Sequence, residues 1–481
     1  MASGLILNAI FLSQIRNITM IPSITDDKES AAISSPKRWT VGTLTYTAGG
    51  LVILFFWLLW GDFAWSMRDR SVPNTLQVLF KKYDASDTLI GVFMCTLPSL
   101  IGMFLGPIIS YKSDRHRGRW GRRIPFLLIP TPIAFLSMIG LAFSPQIGTC
   151  LDKILGPYSP GANISIIFSL GLFWTLFEFA AIVAGSVFGG LVNDVVPQAI
   201  IGRFYGLFRA FSLIAGIIFN YWMFGHVETY YVWVFLGIGT LYGVGFTMMC
   251  LKVKEGDYPP VLEEEQEASM GFFAKVKIYF RECFGNSYYR CFFGACTLMG
   301  LAAMPFNLFS LFYAKSINMS LKTYGACLAA TYVVSLTLAY PLGSLADKFH
   351  PLRVTIASIL LYAIAMLLGG LYVHSAWVFG LALIAHGVLS GTYVTASASL
   401  GQRLLPRERF AELGSAGGII GAISSAILAP VLGKVLDFSH HNYRLTFFMS
   451  AFLAAAAVIG LTALHRRFLA LGGDKNYVAP R

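Results

Sequence analysis

Apolar residues in this chain fall into long uninterrupted runs, not the narrow stripes of a water-soluble fold. Twelve runs can be marked, at 43–66, 86–111, 123–143, 164–192, 204–224, 230–251, 288–314, 322–346, 353–373, 376–402, 410–436 and 444–465. An α-helix needs about 20 apolar residues to cross a hydrocarbon core about 30 Å thick, and each run meets that length. The runs are about twice as long as a membrane strand and lack period-2 alternation, which excludes a β-barrel. Pro98, Pro107, Pro130, Pro132, Pro305, Pro341 and Pro430 lie inside them. Proline breaks a soluble helix but is tolerated in a bilayer, where neighbouring helices satisfy the freed backbone groups, so several kinks are expected. The pattern predicts an all-α membrane protein of twelve transmembrane helices.

Composition narrows this further. Hydrophobic residues make up 56% of the 481 positions and charged residues 12%, against about 25% charged in soluble domains. Little chain remains for a water-soluble catalytic domain, and no Walker A, HExxH or nucleophile-elbow motif occurs in a suitable context. An enzyme, an ATP-driven pump and a bound cofactor are therefore not expected. The net charge of +12 is sided. With the amino terminus in the cytoplasm, 26 Lys and Arg fall on the cytoplasmic side and 9 on the other, with Arg209 inside helix 5. This follows the positive-inside rule, places both termini in the cytoplasm of a plasma (inner) membrane, and leaves no call for a nucleic-acid partner. Met1 to Leu12 is apolar, but Arg16 comes after it and not before, so no cleavable signal is expected. Cys95, Cys150, Cys250, Cys283, Cys291, Cys296 and Cys327 contain no CxxC pair; they read as packing residues, not as a zinc site.

The chain divides into an N-terminal tail (1–38), a six-helix half (39–252), a central loop (253–287), a second six-helix half (288–466) and a C-terminal tail (467–481). The central loop carries Glu263, Glu264 and Glu265 and then GFFAKVKIYF from Gly271, which reads as an interfacial helix or a solvated linker. The halves echo each other. Ser110-x3-Asp114-Arg115 closes helix 2 and Gly343-x3-Asp347-Lys348 closes helix 8; Pro197 and Arg203 follow helix 4, and Pro406 and Arg409 follow helix 10. Parallel repeats of this kind are a hallmark of transporter folds with a site near the midplane.

The loop Ser113–Arg123, SDRHRGRWGRR, and its partner Gly343–Lys348, GSLADK, resemble the signature loops of the major facilitator superfamily. Within the first, RWGRRIPF (Arg119–Phe126) is similar to the loop of the plant sucrose carriers and of the neighbouring glycoside-pentoside-hexuronide cation symporters. Ile124 replaces their third arginine, and Ser110 stands where the superfamily usually has glycine. The resemblance implies a major facilitator fold of two pseudo-symmetric halves, with helices 1, 4, 7 and 10 lining a central cavity. It also implies a gate: Asp114 against the start of helix 11 near Glu408 and Arg409, and Asp347 against the start of helix 5 near Gly202 and Arg203. Arg115, Arg122, Arg123 and Lys348 would complete the clamp. The chemistry is sound by itself, since a helix N-terminus stabilises an anion by about 0.3 to 1 kcal/mol and arginine can hold C-terminal carbonyls. A topology signal alone would need no acid among the arginines.

Ionisable groups in the membrane are costly, at least about 2.5 to 3.5 kcal/mol each at the centre, and so are functional candidates. Glu178 lies about 21 Å from either end of its run, too deep to reach water. Gly171, Trp174, Glu178, Gly185 and Gly189 share one face, which points Glu178 into the protein as a proton-coupling carboxylate or a helix fastener. Asp62, near the outer end of helix 1, is a second coupling candidate. His386 begins a stripe with Ser390, Tyr393 and Ser397, and is either a satisfied core histidine or a substrate contact. Asn307, after the kink at Pro305, can bond a hydroxyl or mend the kink. Trp174 and Tyr393 offer ring faces to a sugar. Arg209 begins the stripe Arg209, Ser212, Gly216, Asn220, about 9 Å in from Arg203, where snorkelling competes with ion pairing. The expected function is alternating-access symport of a sugar or glycoside with a proton or sodium. The alternatives are a proton-coupled exporter, a lysolipid or other amphiphile carrier, and a non-transporting sensor on the same scaffold.

Overall fold

The computed structural model describes residues 38–258, 279, 281–406 and 409–480; within these, the side chains of Arg203, 339–340, 342–347, Ala411 and Lys475 lie outside the description. The N-terminal tail and the GFFAKVKIYF stretch, apart from Tyr279, lie outside the described residues. The chain is first met as a short antiparallel hairpin, β1 (Trp39–Val41) and β2 (Leu44–Tyr46). It turns at Gly42, where φ is 54° and only glycine sits without strain.

The hairpin displaces the first helix. α1 runs Ala48–Lys82, capped by Thr47, whose hydroxyl accepts from the Gly50 N–H. It therefore starts later than the expected 43 and continues sixteen residues past the expected 66, carrying Arg68, Asp69 and Arg70 inside the helix and not in a loop. Removing these arginines from the far-side loop sharpens the charge asymmetry read from the sequence.

Beyond α1 come α2 (Asp87–Arg115), α3 (Ile124–Tyr158) and α4 (Ala162–Val195). A π turn, Val92–Thr96, interrupts α2 just before Pro98. Proline has no N–H for the carbonyl a turn back, which is why the ladder slips there. α5 (Ile201–Ile218) leads through a π turn and a 3₁₀ turn at Phe219–His226 into α6 (Val227–Lys252). The second half comprises α7 (Ser287–Ser316), α8 (Leu321–Phe349), α9 (Pro351–Tyr372), α10 (Ala376–Leu404), α11 (Phe410–Phe438) and α12 (Leu445–Ala470).

Among the described residues, eleven helical stretches are long and apolar enough to cross a membrane, one of them being the 49-residue run Phe204–Lys252. A straight helix of that length would span about 74 Å, more than twice a hydrocarbon core. Its two ends lie at one level instead: Phe55 of α1 packs on Phe204 at one end, and Gly61 of α1 abuts Met249 at the other. The run doubles back and supplies two crossings, making twelve.

In the first half α1 packs on α5 and α6, and α3 on α4 and α6; in the second, α9 packs on α10 and α12, and α8 on α10. The halves meet through α2 with α11 and α5 with α8. These contacts gather at the face away from the 116–123 loop, called here the far face. Gly91 lies against the Ala429 carbonyl, Gly433 against the Asp87 backbone, and Gly325 against the Asn220 carbonyl, each too close for a Cβ. The Thr96 hydroxyl donates to the Ala426 carbonyl at 2.8 Å. Toward the loop face, Phe104, Ile108 and Tyr111 of α2 are exposed.

Candidate functional site

The late start of α1 puts its charges at mid-membrane. Arg68 is 1% exposed. Its guanidinium lies 4.0 Å from the ring centre of Trp65, 4.6 Å from Tyr242 and 5.4 Å from Phe177. Phe177 is near the middle of the 34-residue α4, so the box sits near the middle of the span. Arg68 donates to Asp69 at 2.6 Å, and the Trp65 indole N–H donates to the other Asp69 oxygen at 3.0 Å. Nε and Nη1 of Arg68 are buried without partners among the described residues. Three ring faces and one carboxylate offset its desolvation. Glu178, beside Phe177, is within electrostatic reach of both Arg68 and Asp69 and, among the described residues, is tied to neither by a hydrogen bond.

Asp62 is 2% exposed, and one of its carboxylate oxygens has no partner among the described residues. Its neighbour Gly61 abuts Met249, close to the loop-face end of α6 at Lys252. This corrects the expected position at the outer end of helix 1, for the same reason: the helix begins late and runs on.

A cavity of about 390 Å³ is lined by Ser66, Asp69, Arg70, Pro73 and Ser212. Arg70 reaches across to the other half, donating to the Tyr332 hydroxyl at 3.0 Å with its guanidinium 4.9 Å from that ring. On the C-terminal side, exposed Asn307 accepts from Nε2–H of His386 at 2.8 Å, and His386 Nδ1 accepts from the Tyr362 hydroxyl at 3.0 Å. A hydroxyl on one nitrogen and an amide oxygen on the other assign the neutral Nε2–H tautomer. His386 is thus a satisfied core histidine that holds Asn307 in place. Two expected sugar platforms are placed elsewhere. Trp174 is 1% exposed, stacks on Phe177 and donates its N–H to the Phe93 carbonyl at 2.7 Å, within the π turn of α2. Tyr393, also 1% exposed, packs edge-on against Tyr362.

At the loop face the arginines are tied within their own half. Asp114 pairs with Arg123 at 2.5 Å. Arg122 grips Asp194, at the end of α4, through two bonds of 2.9 and 2.6 Å, and Arg123 Nε adds a third at 3.1 Å. Glu255 caps the start of α3, accepting from the backbone N–H groups of Arg122, Arg123 and Ile124 at 3.0, 2.8 and 2.7 Å. The Tyr258 hydroxyl donates to both acids. Burial, with Glu255 and Asp194 alongside, pushes that hydroxyl well above the usual tyrosine range, while the bonds to Asp194 raise the Arg122 guanidinium. Arg115 stacks 3.7 Å over Tyr111. The expected bond from Asp114 to the start of helix 11 is not what this structure holds, since Arg123 is nearer and already oriented by Asp194. Arg409 pairs instead with Glu412 at 2.9 Å, and Lys348 is exposed beside Phe349. The side chains of Arg203 and Asp347 lie outside those described.

The bond between α2 and α11 occurs at the other end of the same helices. Asp437, at the end of α11, caps the start of α2: it accepts from the N–H groups of Asp87 and Thr88 at 2.9 and 3.0 Å and from the Thr88 hydroxyl at 2.5 Å. Asp87, fully buried, accepts from Lys81, His441 and Tyr443 at 3.2, 2.6 and 3.1 Å. Asp87, Asp437 and His441 are close enough to hold a metal ion. The Lys81 ammonium and the two backbone N–H groups already fill the places a cation would need, so this constellation reads as a latch. The Ser86 cap followed by an acid is the one hint of it in the sequence.

The architecture defines the class: two six-helix halves in the major facilitator fold, with a cavity lined by α1 and α5 of the first. Residues 291–469, from α7 to α12, match the family model of the Major Facilitator Superfamily. No curated protein matches the chain in sequence. Several solved structures are similar. A bacterial homologue of the human lysosomal transporter Spinster, inward-facing and occupied, is 12% identical, covers 90% of this chain and 98% of its own, and superposes with a TM-score of 0.62. The D-xylose-proton symporter is 14% identical over 85% of this chain and 96% of its own, with a TM-score of 0.59. The nucleoside transporter NupG is 13% identical over 85% and 98%, with a TM-score of 0.57. At these identities the likeness is one of fold.

Proposed function

We propose that the protein is a secondary active transporter of the major facilitator superfamily, working by alternating access and coupling a sugar or glycoside to protons. The observation that carries this reading is the cavity lined by Asp69 and Arg70 beside the buried Arg68 and Glu178, at mid-helix in a fold whose halves are latched together at the far face. A carrier needs a site at the midplane that is reached from one side at a time. Similar structures bear names of transporters for D-xylose with protons and for nucleosides, which supports polar hydroxylated cargo, as does the resemblance of Arg119–Phe126.

The loop face is cytoplasmic in this reading, with both termini, and the conformation is inward-open. Glu178 is the proton carrier: it faces Arg68 and Asp69 without a fixed partner among the described residues, so it can gain and lose a proton without breaking a bond. Asp62, with its unpartnered oxygen, is the second coupling group. Asn307, held by His386, offers its amide N–H₂ to the cargo. Asp114, Arg115, Arg122, Arg123, Arg203, Asp347, Lys348 and Arg409 form the cytoplasmic gate of the outward-open state. Purified protein in proteoliposomes tests the reading: labelled sugars should accumulate under an imposed inward proton gradient and only equilibrate without one. Sodium-driven accumulation that ignores pH would replace the proton, and no uptake of any sugar would remove the sugar.

A further inference from the structure

The stripe Arg209, Ser212, Gly216, Asn220 on α5 is resolved by the structure into two parts. Gly216 lies against the Tyr332 ring and the Asn220 carbonyl against Gly325, so this face of α5 looks at α8 of the other half. Ser212, a turn below, lines the 390 Å³ cavity together with Arg70. Arg209, one further turn along the same face, is exposed and close enough to Arg70 for the two charges to act on each other.

Charge balance makes this pair unusual. Asp69 also lines the cavity, but both its oxygens are taken, by Arg68 and by the Trp65 indole. Its charge is matched by Arg68, leaving Arg70, on the cavity, and Arg209, a turn beyond Ser212, as two neighbouring cations. Arg70 spends one N–H on the Tyr332 hydroxyl, a neutral acceptor. That hydroxyl accepts from Arg70 and keeps its own proton for another acceptor. Ser212 adds a second hydroxyl. Arg70 and Ser212 line the cavity, the Tyr332 hydroxyl is bonded to Arg70, and Arg209 lies a turn beyond Ser212 within electrostatic reach of Arg70; two guanidinium groups and two hydroxyls are thus grouped together, and an oxyanion is the ligand that satisfies all four.

Resting on the transporter reading, we propose that the cargo carries an anionic group, a carboxylate or phosphate, held by Arg70 and Arg209 with Tyr332 and Ser212 completing its hydrogen bonds. The cation pair then also accounts for coupling. A protonated Glu178 leaves the cluster around Arg68 neutral, so a monoanion and a proton enter together and the step moves no net charge. Because Arg70 is also the innermost bond between the halves, an anion there competes for the contact that links α1 to α8.

Four probes test this on purified protein in detergent: glucose, glucose 6-phosphate, succinate and lysophosphatidic acid. Ligand-dependent thermal stabilisation is measured first, then proteoliposome uptake. At least one anionic probe should stabilise saturably while glucose does not; a response to lysophosphatidic acid alone identifies a lipid headgroup, and a response to either soluble anion a free solute. R209Q should weaken that binding at least about tenfold, and R209K should recover part of it. Y332F should bind the anion several-fold more weakly with its fold intact by melting temperature. Glucose and anions acting equally in R209Q and wild type, or no response to any anion, would overturn the anion site while leaving transport of neutral sugar standing. Saturable, Arg209-dependent binding with no uptake would uphold the site and overturn the transporter reading.

Discussion

The far-face latch makes a quantitative prediction. In Asp437→Asn the side chain keeps its shape but loses its charge and one of two acceptor oxygens. The carboxylate now accepts two backbone N–H groups and a hydroxyl from the start of α2. Hydrogen bonds to a charged group contribute about 1.5 to 3 kcal/mol each, and an anion at a helix N-terminus about 0.3 to 1 kcal/mol more. Asparagine retains the better part of one bond, so closure of the far face should weaken by about 1 to 3 kcal/mol, a shift of about 5- to 150-fold in the opening equilibrium. Hydrogen–deuterium exchange in lipid nanodiscs reads this directly, because the amides of Asp87 and Thr88 are the donors. The peptide covering 86–92 should exchange faster by that factor, and the one covering 426–436 should follow it. Asp152→Asn is the control: Asp152 accepts from Ser159 at the same face, at 2.5 Å, without reaching the other half. Exchange at 86–92 within about twofold of wild type, or an equal change in Asp152→Asn, would refute the idea that Asp437 holds the halves together.

Three further outcomes are expected. Glu178→Gln keeps the shape of the protonated acid, so counterflow exchange of cargo should persist while accumulation driven by a pH gradient is lost; retained pH-driven accumulation would move coupling to Asp62. Arg68→Met strips Asp69 of its cation and leaves Glu178 without a counter-charge, costing about 2 to 3 kcal/mol after allowing for the exposure of Asp69, visible as a drop of several degrees in the melting temperature in detergent; no drop would mean the ring box tolerates a neutral side chain. Arg122→Lys exchanges a two-bond grip on Asp194 for a point charge at a cost of about 1 kcal/mol, so amide exchange should rise at 122–126 and 190–196 and stay unchanged at 86–92.

Most of the fold is legible in the sequence because bilayer thickness fixes the length of each apolar run, and the later runs need only small adjustment at their ends, apart from the third, which continues past the expected 143 to Tyr158. The start of the first helix is hidden for a specific reason. Gly42 alone punctuates Trp39–Tyr46, with no Pro, Asn or Asp beside it to mark a turn. The strands of the hairpin, Trp39–Val41 and Leu44–Tyr46, are nearly as apolar as the helix they precede. Reading the charged Arg68–Asp69–Arg70 as a loop then follows from hydropathy alone, whereas in the folded protein the Arg68 charge is satisfied by aromatic rings that include Phe177 of α4 and Tyr242 of α6. Partners so distant in sequence leave no local pattern. Glu178 stands out because a lone acid in an apolar run is costly whether it couples protons or fastens helices, and Asn307 because it follows a kink. Trp174 and Tyr393 escape correct placement because exposure to the cavity depends on rotation about the helix axis, which a run apolar on all sides does not encode. Asp194, Glu255 and Tyr258 lie at the ends of runs, where charge is ordinary, and only the fold brings them to Arg122 and Arg123.

The two faces use different bonds, and in the proposed alternating-access cycle that difference bears on how the halves would rock. Both use a carboxylate to cap a helix start, but Glu255 caps α3 within its own half, whereas Asp437 caps α2 across the crevice. Only the second must break when the halves separate at the far face. The first makes the basic loop a stiff part of one body. Within it Asp114 is held by a single ion pair and its side chain is half exposed, so releasing it costs no more than about 1 kcal/mol. Arg123 is not stranded by the release, because Asp194 still holds its Nε. Asp114 is thus free to meet a helix start in the other half, as the resemblance implies, while the arginines stay in register. An equilibrium between two closed faces requires bonds of comparable strength at each. In the proposed cycle the latch at Asp437 would therefore set how strong a loop-face clamp has to be, and a clamp built on Asp114 alone would fall short of it unless Asp347, its counterpart in the second half, acts at the same time.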